Sequence, residues 1–351
     1  MSQHPSPMGA SQMAEPTTSP PAAPRAEGLT IVEAIQAALR EEMAADPSVV
    51  VIGEDVGRKG GVFKVTQGLQ AEFGPLRVLD TPISEAAIAG VAIGAAMRGL
   101  RPVAEFQFAD YMQVAFDQIV NQAATMRWRS VGRFGCPVVF RAPFGAGVQG
   151  GLYHSQSVEA FYCHVPGLKV VVPATPRDAR GLLKAAIRDP DPVVFFEHKQ
   201  SYRRFREHIP PDEDALPLGV ARLDRAGSDV SVITYGVGVH HARAAAQALQ
   251  QEGVSLEILD LRTLAPMDHE AIARTIAHTG KALVLHEANK TLGVGAEVAA
   301  FIAEELFQDL DGPVVRVAAA DCHLPYNAAE ETAIIPSPAW VIEAARRLAA
   351  F

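Results

Sequence analysis

The sequence predicts an α/β protein with two domains, each built on a parallel β-sheet that helices cover on both faces. Short apolar runs alternate with amphipathic segments, which is typical of buried parallel strands and their crossover helices. The alternation breaks in "REHIPPDEDALPLG", residues 206–219, where prolines and acidic residues cluster. The chain has 351 residues, more than one hydrophobic core usually serves. We therefore predict one domain over residues 28–208 and a second over residues 209–351.

The first domain is predicted to begin with a helix and to end with a strand. Apolar residues line one face of "TIVEAIQAALREEMAAD", and Thr30 and Glu33 form a capping box at its start. The run "VVVIG", Val49–Gly53, predicts a buried strand, and residues 80–99 predict a helix. Further strands are predicted at residues 102–108, 136–143, 168–174 and 192–197, and further helices at residues 110–126 and 175–189, the latter capped by Thr175.

The second domain repeats the same rhythm after the boundary. Apolar runs predict strands at residues 229–236, 254–261, 282–288 and 313–321. Amphipathic segments predict helices at residues 239–253 and 294–307, and another helix beginning at Asp268. Because each strand run is continuously apolar, we expect a second, smaller parallel sheet.

Composition excludes several classes of function. The net charge of −9 argues against nucleic acid or an anionic membrane as the main partner, and no stretch is long and apolar enough for a membrane span. The three cysteines are scattered, so we expect reduced thiols and not a disulfide framework or a zinc cage. Residues 1–27 are rich in Pro, Ser and Ala and lack the features of a secretory or mitochondrial leader. We interpret them as a disordered tail of a cytoplasmic protein.

The common catalytic and nucleotide-binding motifs do not account for this sequence. "YGVGVHH" follows a predicted strand and imitates a dinucleotide fingerprint, with Asp260 about twenty residues further on. His241 stands at the third glycine position, however, where an imidazole would prevent close packing of helix on strand. The sequence also contains no P-loop, HExxH or GxSxG motif, and no "GDG" of the kind that binds magnesium and diphosphate.

Glu85 is the first candidate functional residue. It stands at the start of "EAAIAGVAIGAAM", which has no other charged residue, so we expect a helix buried all round. The spacing of Gly90 and Gly94 favours close approach of another helix. Glu85 is either a first-turn acid that stabilises the helix dipole, or a carboxyl in an apolar cleft that works as a proton donor or hydrogen-bond partner.

His154 and the "EFQFADY" segment are further candidates. His154 follows a glycine-rich loop and precedes three polar residues, which suits an acid or base, although a structural loop histidine gives the same pattern. His164 is an alternative in the same stretch. Glu105, Gln107 and Tyr111 lie near the end of a predicted strand, where α/β proteins keep their sites, although the segment also suits simple core packing.

Several stretches, in order, resemble one known family. They include "VIGEDVG", "DTPISEAAIAGVAIGAAMRGLRPVAEFQFADY", "FDQIVNQAA", "LYHSQSVEAFYCHVPGLKVVVPATPRDARGLLKAAIRD" and "DLRTLAPMD". They are similar to the β subunit of the thiamin-diphosphate-dependent decarboxylase component of 2-oxo-acid dehydrogenase complexes. The resemblance covers residues 29–351. "EFQFADY" and "LYHSQSVEAF" look more like the branched-chain enzyme than the pyruvate enzyme.

The resemblance implies a fold, a cofactor and a division of labour between subunits. It implies a pyrimidine-binding domain followed by a transketolase C-terminal-like domain, in an α2β2 heterotetramer whose α subunit holds magnesium and the diphosphate. It implies that Glu85 hydrogen-bonds the aminopyrimidine ring and thereby activates the cofactor, while Ile83, Gln107 and Tyr111 line the pocket. The activity implied is oxidative decarboxylation of a 2-oxo acid by the assembled α and β subunits.

The resemblance also implies contacts beyond the cofactor. His154 would help to transfer the acyl group to the lipoyl arm of the acyltransferase component, which would dock near the acidic end of the second domain and the carboxylate of Phe351. Branched-chain members also bind potassium, and the corresponding residues here are Cys136, Val138, Val139, Ala186, Asp189 and Asp191. Val139 lacks the hydroxyl that this pattern needs.

Three alternatives to the branched-chain function stay open at this point. The chain could serve a pyruvate or acetoin dehydrogenase instead, since much of the substrate pocket would lie on the α subunit. It could be one half of a split transketolase-like transferase, although we find no basic clusters that would bind sugar phosphates. It could also be a scaffold without catalytic activity, because the small-residue helix after Glu85 suits an interface.

Overall fold

The computed structural model describes residues 27–210 and 213–351, which form two α/β units. The predicted tail lies outside these residues, apart from Glu27. The first unit contains α1 (Ile31–Ala45), β1 (Val49–Gly53), α2 (Leu69–Phe73), β2 (Val78–Asp80), α3 (Glu85–Met97), β3 (Arg101–Glu105), α4 (Met126–Arg129), β4 (Val139–Phe144), α5 (Glu159–Cys163), β5 (Lys169–Val171), α6 (Pro176–Arg188) and β6 (Val193–His198). The second contains β7 (Arg222–Arg225), β8 (Val230–Thr234), α7 (Val237–Gln250), β9 (Leu256–Asp260), β10 (Thr263–Ala265), α8 (His269–Thr279), β11 (Ala282–Asn289), α9 (Val294–Glu305), β12 (Val315–Ala319), α10 (Ala328–Ile334) and α11 (Pro338–Ala349).

Both sheets are parallel except for one edge strand each. The larger sheet has the order β10-β5-β6-β4-β3-β1-β2, and only β10 runs antiparallel to its neighbour. The smaller sheet has the order β12-β11-β8-β9-β7, and β7 is its antiparallel edge. The predicted fold class is therefore confirmed. The two units share one sheet, however, because β10 follows β9 in sequence but pairs with β5, with Thr263 opposite Val171.

The predicted helix starts are confirmed by their caps. Thr30 accepts a hydrogen bond from the Glu33 backbone while the Glu33 carboxylate reaches back to Thr30, which completes the capping box of α1. Thr175 caps α6, and Asp268 caps α8. These caps satisfy backbone N–H groups that a helix leaves without partners at its start.

The segment predicted as one helix over residues 110–126 is not a single α-helix. It forms a 3₁₀-helix at Ala109–Ala115, a π-helix at Gln118–Ala123 and then the short α4. Within its 3₁₀- and π-helical parts, the buried positions are Ala109, Met112, Ala115, Ile119 and Ala123. Their spacing changes from three residues to four, so a tight helix followed by a wide one keeps all of them against the core.

Helix α3 is buried on one face only, which corrects the expectation of burial all round. Ile88, Ala92 and Ile93 pack into the core, whereas the Val91 side chain is 57% exposed. A Cβ atom added at Gly94 would have nothing within 4 Å. Apolar composition alone does not distinguish a helix buried within its own chain from one with a free apolar face.

Buried hydrogen bonds join the two units across their boundary. Tyr235, after β8, donates its hydroxyl to Glu159 on α5 at 2.7 Å, and both side chains are buried. No helix among the described residues is long and apolar enough to cross a membrane. The same residues contain no cluster of three or more His, Cys, Asp or Glu side chains that could hold a metal ion.

Candidate active site

Polar side chains gather at the carboxyl ends of the strands in the larger sheet. Glu54 directly follows β1, Gln107 lies two residues after β3, and Lys199 directly follows β6. Glu85 begins α3 and is half-buried. Because parallel strands end at the same edge, these side chains from distant parts of the sequence face one region.

Two carboxylates and one amide form the first part of this site. The Gln107 side chain lies close to the Glu54 carboxylate and acts to lower its pKa. Burial raises the pKa of Glu54, and the nearby carboxylates of Asp55 and Glu85 raise it further. Sequence reasoning assigned Glu85 and Gln107 but missed Glu54. The signal was available, because an acid directly after the buried run "VVVIG" lies at the functional edge of a parallel sheet.

An exposed apolar residue, Ile83, precedes Glu85 in the sequence. The Ile83 side chain is 75% exposed, two residues before Glu85. An exposed aliphatic side chain two residues before Glu85, together with the carboxyls and the amide at this edge, suits a flat ring that carries ring nitrogens and an amino group. These residues therefore fit the aminopyrimidine of thiamin diphosphate.

His154 and Tyr111 form the second part of the site. The Tyr111 hydroxyl lies 3.1 Å from His154 Nε2, and the edge of the Phe108 ring packs against the imidazole with centroids 4.5 Å apart. Burial raises the pKa of Tyr111, and the carboxylates of Asp110 and Glu85 contribute. The structure thus brings Glu85, Tyr111 and His154 into one neighbourhood. The alternative, His164, is exposed after α5.

A buried ion cluster lies beneath the ends of β3, β4 and β6. The Arg141 guanidinium contacts the carboxylates of Glu105 and Glu197, and Tyr202 donates its hydroxyl to Glu197 at 2.6 Å. All four side chains are buried. Sequence reasoning missed this cluster, although a charged residue inside the apolar runs "VVFRAP" and "VVFFEH" must find a partner when buried. The cluster fixes the strand ends that carry Gln107 and Lys199.

The loop before His154 is anchored from the second unit. Glu287, on β11, accepts hydrogen bonds from the Ala146 backbone N–H at 2.7 Å and from the Ser157 hydroxyl at 3.1 Å. His198 lies 3.0 Å from the other carboxylate oxygen. A cleft of about 500 Å³ adjoins Ser157 and Glu287 and continues between the ends of β11 and β12. The loop before His154 is therefore held by both units.

The residues predicted to bind potassium lie together near the starts of β4 and β6. Lys169 Nζ lies 2.6 and 2.7 Å from the two carboxylate oxygens of Asp189, and Arg127 Nε lies 2.6 Å from Asp191. The carbonyls of Cys136, Val138 and Ala186 each accept one backbone N–H. Both carboxylates are thus paired with fixed cations, and the oxygens left for an ion are backbone ones. Potassium binding stays a prediction.

The comparisons with known proteins agree with this architecture. Residues 27–204 match the family model "Transketolase, pyrimidine binding domain", and residues 219–341 match "Transketolase, C-terminal domain". Over 324 residues the chain is 51% identical to the 2-oxoisovalerate dehydrogenase subunit beta of Bacillus subtilis, covering 92% of this chain and 99% of the relative. The chain belongs to the family of 2-oxo-acid dehydrogenase β subunits. It is also 46% identical to the pyruvate dehydrogenase E1 component subunit beta of the same organism, again covering 92% of this chain and 99% of the relative.

A solved structure supports the fold of this β subunit. The chain superimposes on "Split gene transketolase, inactive beta4 tetramer" with a TM-score of 0.76 and 24% identity, covering 92% of this chain and 99% of that one. At this identity the likeness shows the fold alone. At the far end of the β subunit, α11 leads to Phe351, whose side chain is 72% exposed.

Proposed function

We propose that this chain is the β subunit of the decarboxylase component of a branched-chain 2-oxo-acid dehydrogenase. The observation that carries the proposal is the convergence of Glu85, Tyr111 and His154 at one edge of the pyrimidine-binding domain. The 51% identity to a 2-oxoisovalerate dehydrogenase subunit, against 46% to a pyruvate dehydrogenase subunit, favours the branched-chain substrate.

The residues around Glu85 fit a role in holding and activating thiamin diphosphate. When bound, this cofactor supplies the nucleophilic carbon and the electron sink for loss of carbon dioxide. The Glu85 carboxyl would hold a proton at a pyrimidine ring nitrogen, and Gln107 and Tyr111 would orient the ring. Ile83 would cover its face and exclude water. Magnesium and the diphosphate would be held by the α subunit, since this sequence lacks the "GDG" motif.

His154 fits the second half-reaction. Its Nε2 faces the Tyr111 hydroxyl at 3.1 Å, so the imidazole is oriented and stays near the reacting region. An imidazole exchanges protons near neutral pH, which suits acyl transfer to the sulfur of a lipoyl arm. Tyr111 would hold the ring, and His154 would supply or accept the proton.

The surfaces of the chain fit two protein partners. The exposed small-residue face of α3, with Val91 and Gly94, directly follows Glu85 and fits the α subunit of an α2β2 heterotetramer. The end of the second domain at Phe351 fits the docking of the lipoyl acyltransferase component. A cytoplasmic location belongs to the same proposal.

The most specific part of the proposal is the preference for branched 2-oxo acids over pyruvate. Branched 2-oxo acids exceed pyruvate by a few methyl and methylene groups, and an apolar pocket distinguishes one such group by about 1–3 kcal/mol. Pyruvate is the second candidate, because the two relatives differ little in identity to this chain.

Co-expression with an α subunit tests the function directly. The purified pair is assayed for decarboxylation of 3-methyl-2-oxobutanoate and of pyruvate with thiamin diphosphate and magnesium, and the β chain alone serves as the control. We expect activity only in the pair, with the branched acid preferred. A pair that assembles but decarboxylates neither acid would contradict the proposal, and a preference for pyruvate would establish the second candidate.

A further inference from the structure

Three carboxylates from separate elements hold the loop that leads to His154. Asp110 lies on the 3₁₀-helix after β3, Glu287 on β11 and Glu331 on α10. The contacts are Asp110 with the Gln156 N–H (3.2 Å), Glu287 with the Ala146 N–H (2.7 Å) and the Ser157 hydroxyl (3.1 Å), and Glu331 with the Gln149 amide (3.5 Å). The loop is therefore attached at both ends and near its middle.

Lys199 lies among these three carboxylates. The residue directly follows β6 and is only 5% exposed. Its ammonium lies 5.7 Å from the centre of the Phe108 ring. Asp110, Glu287 and Glu331 are the negative charges that act on it. Among the described residues the ammonium has no hydrogen-bond partner, and one oxygen of Asp110 and one of Glu331 are likewise buried without one. A buried, unpartnered ammonium with buried, unpartnered oxygens around it indicates bridging by water.

The stability of the fold does not explain this lysine. Burial lowers the pKa of Lys199 from 10.5 to about 8, although the three carboxylates oppose the shift. A lysine whose folded pKa lies below its unfolded value destabilises the fold in its charged form, so the charge is maintained at a cost near neutral pH. Groups that are kept at a cost in stability are typical of functional sites.

We propose that Lys199 is a positioning residue for His154, because its ammonium is the shared counter-ion of the three carboxylates that hold the His154 loop. The inference rests on the proposed function, in which His154 serves acyl transfer to the lipoyl arm. Without the ammonium, three like charges would face one another in a buried site and repel. Their contacts with the loop would weaken, and His154 would move relative to Tyr111 and the substrate.

The other charged groups in this region belong to the same network. His198 donates to Glu287, His241 faces Glu287 from α7, and His154 faces Asp110. Lys199 is the lysine of this network, and its ammonium is acted on by all three carboxylates that hold the loop.

The experiment measures two half-reactions in the co-expressed tetramer. Decarboxylation with an artificial electron acceptor reports on the cofactor site, and acylation of a lipoyl domain reports on His154. We expect Lys199→Met to slow acylation about 10- to 100-fold, the loss typical of a displaced catalytic group, while decarboxylation stays within about twofold. Lys290→Met, at an exposed lysine, is the control and should change neither rate.

The pH profile distinguishes positioning from a merely structural role and does not depend on the Met variant folding. In the wild-type tetramer, acylation should fall as pH rises through about 8, where Lys199 loses its proton, whereas decarboxylation should not. Arginine stays charged at higher pH, so Lys199→Arg should shift the fall in the acylation rate to higher pH. The inference would be overturned if wild type and Lys199→Met acylate the lipoyl domain at equal rates. It would also be overturned if the acylation rate of the wild type does not fall as pH rises through about 8. A wild-type tetramer without either activity would instead contradict the proposed function.

Discussion

His198 and Glu287 lie 3.0 Å apart and join the pyrimidine-binding domain to the C-terminal domain through a part-buried hydrogen bond. Burial raises the pKa of Glu287, but His198, the Ala146 N–H and the Ser157 hydroxyl lower it more, to about 2. The carboxylate is therefore ionised at neutral pH and has its hydrogen-bond capacity filled by groups of the first domain. Glu287 therefore contributes both to domain docking and to the position of the His154 loop.

Replacing Glu287 with Gln should destabilise the chain by about 2–3 kcal/mol at pH 7, because charge-assisted hydrogen bonds are lost in a buried site. The folded pKa lies below the ordinary value of 4.5, so the contribution is fully present above about pH 4.5 and is lost as pH falls toward 2. Urea unfolding at pH 7 and at about pH 3.5 should therefore show a gap between wild type and variant that narrows with acidification. Glu297→Gln, at an exposed position on α9, is the control. If the unfolding free energies of wild type and Glu287→Gln do not differ, or differ equally at both pH values, Glu287 does not stabilise the fold through its charge.

Replacing Glu85 with Gln should abolish decarboxylation in the co-expressed tetramer. An amide cannot exchange a proton with a ring nitrogen as a carboxyl does, and loss of one acid–base group typically slows a reaction about 10²- to 10⁴-fold. Size-exclusion chromatography should show an unchanged tetramer, since Glu85 is only half-buried in the isolated chain. Glu304→Gln, on the exposed face of α9, provides a matched control. Normal turnover by Glu85→Gln would remove this residue from cofactor activation.

Replacing His154 with Ala should separate the two half-reactions. Decarboxylation with an artificial acceptor should be nearly unchanged, while acylation of a lipoyl domain should slow by about 10²-fold or more. Tyr111→Phe removes the hydroxyl that faces His154 Nε2 and should slow acylation less, because the imidazole remains. If both half-reactions fall equally in His154→Ala, the proposed division of labour is incorrect.

Local signals in the sequence predicted most of the regular elements but not their long-range pairing. The capping box of Thr30 and Glu33 depends on residues three apart, so the sequence alone was sufficient to place the start of α1. The strand β10 has three residues and exists because it pairs with β5, which lies about ninety residues earlier in the chain. No local periodicity encodes such a partner.

In the site, too, the sequence indicates which residue types are important but not which residues they contact. Glu85, Tyr111 and His154 could be named because they stand in recognisable motifs. The importance of Lys199 depends on carboxylates from α10, β11 and the segment after β3, and that of Glu287 depends on His198 at the end of β6. A buried charge inside an apolar run is visible in the sequence, but its counter-ion is set by the fold.

Potassium binding near Asp189 should become stronger when the Lys169 ammonium that pairs with this carboxylate is removed. Lys169→Met frees this carboxylate, which Lys169 contacts at 2.6 and 2.7 Å in the wild type. We therefore expect potassium chloride, compared with choline chloride at equal ionic strength, to raise the unfolding midpoint of Lys169→Met more than that of wild type. Lys290→Met should respond like wild type. Equal responses of all three proteins would count against potassium at this loop.

The exposed face of α3 gives the sharpest test of subunit assembly. A Cβ atom added at Gly94 would meet nothing within 4 Å in the isolated chain, so Gly94→Leu should keep the fold of the lone β chain and should not lower its unfolding midpoint. If a partner packs closely on this face, the added leucine would overpack the interface and weaken assembly by roughly 1–3 kcal/mol. Light scattering of the co-expressed pair measures the loss of tetramer, and Ala44→Leu, at an exposed position on α1, is the control. A full tetramer with Gly94→Leu would place the interface on another surface, and Glu85 would then lie away from the subunit boundary.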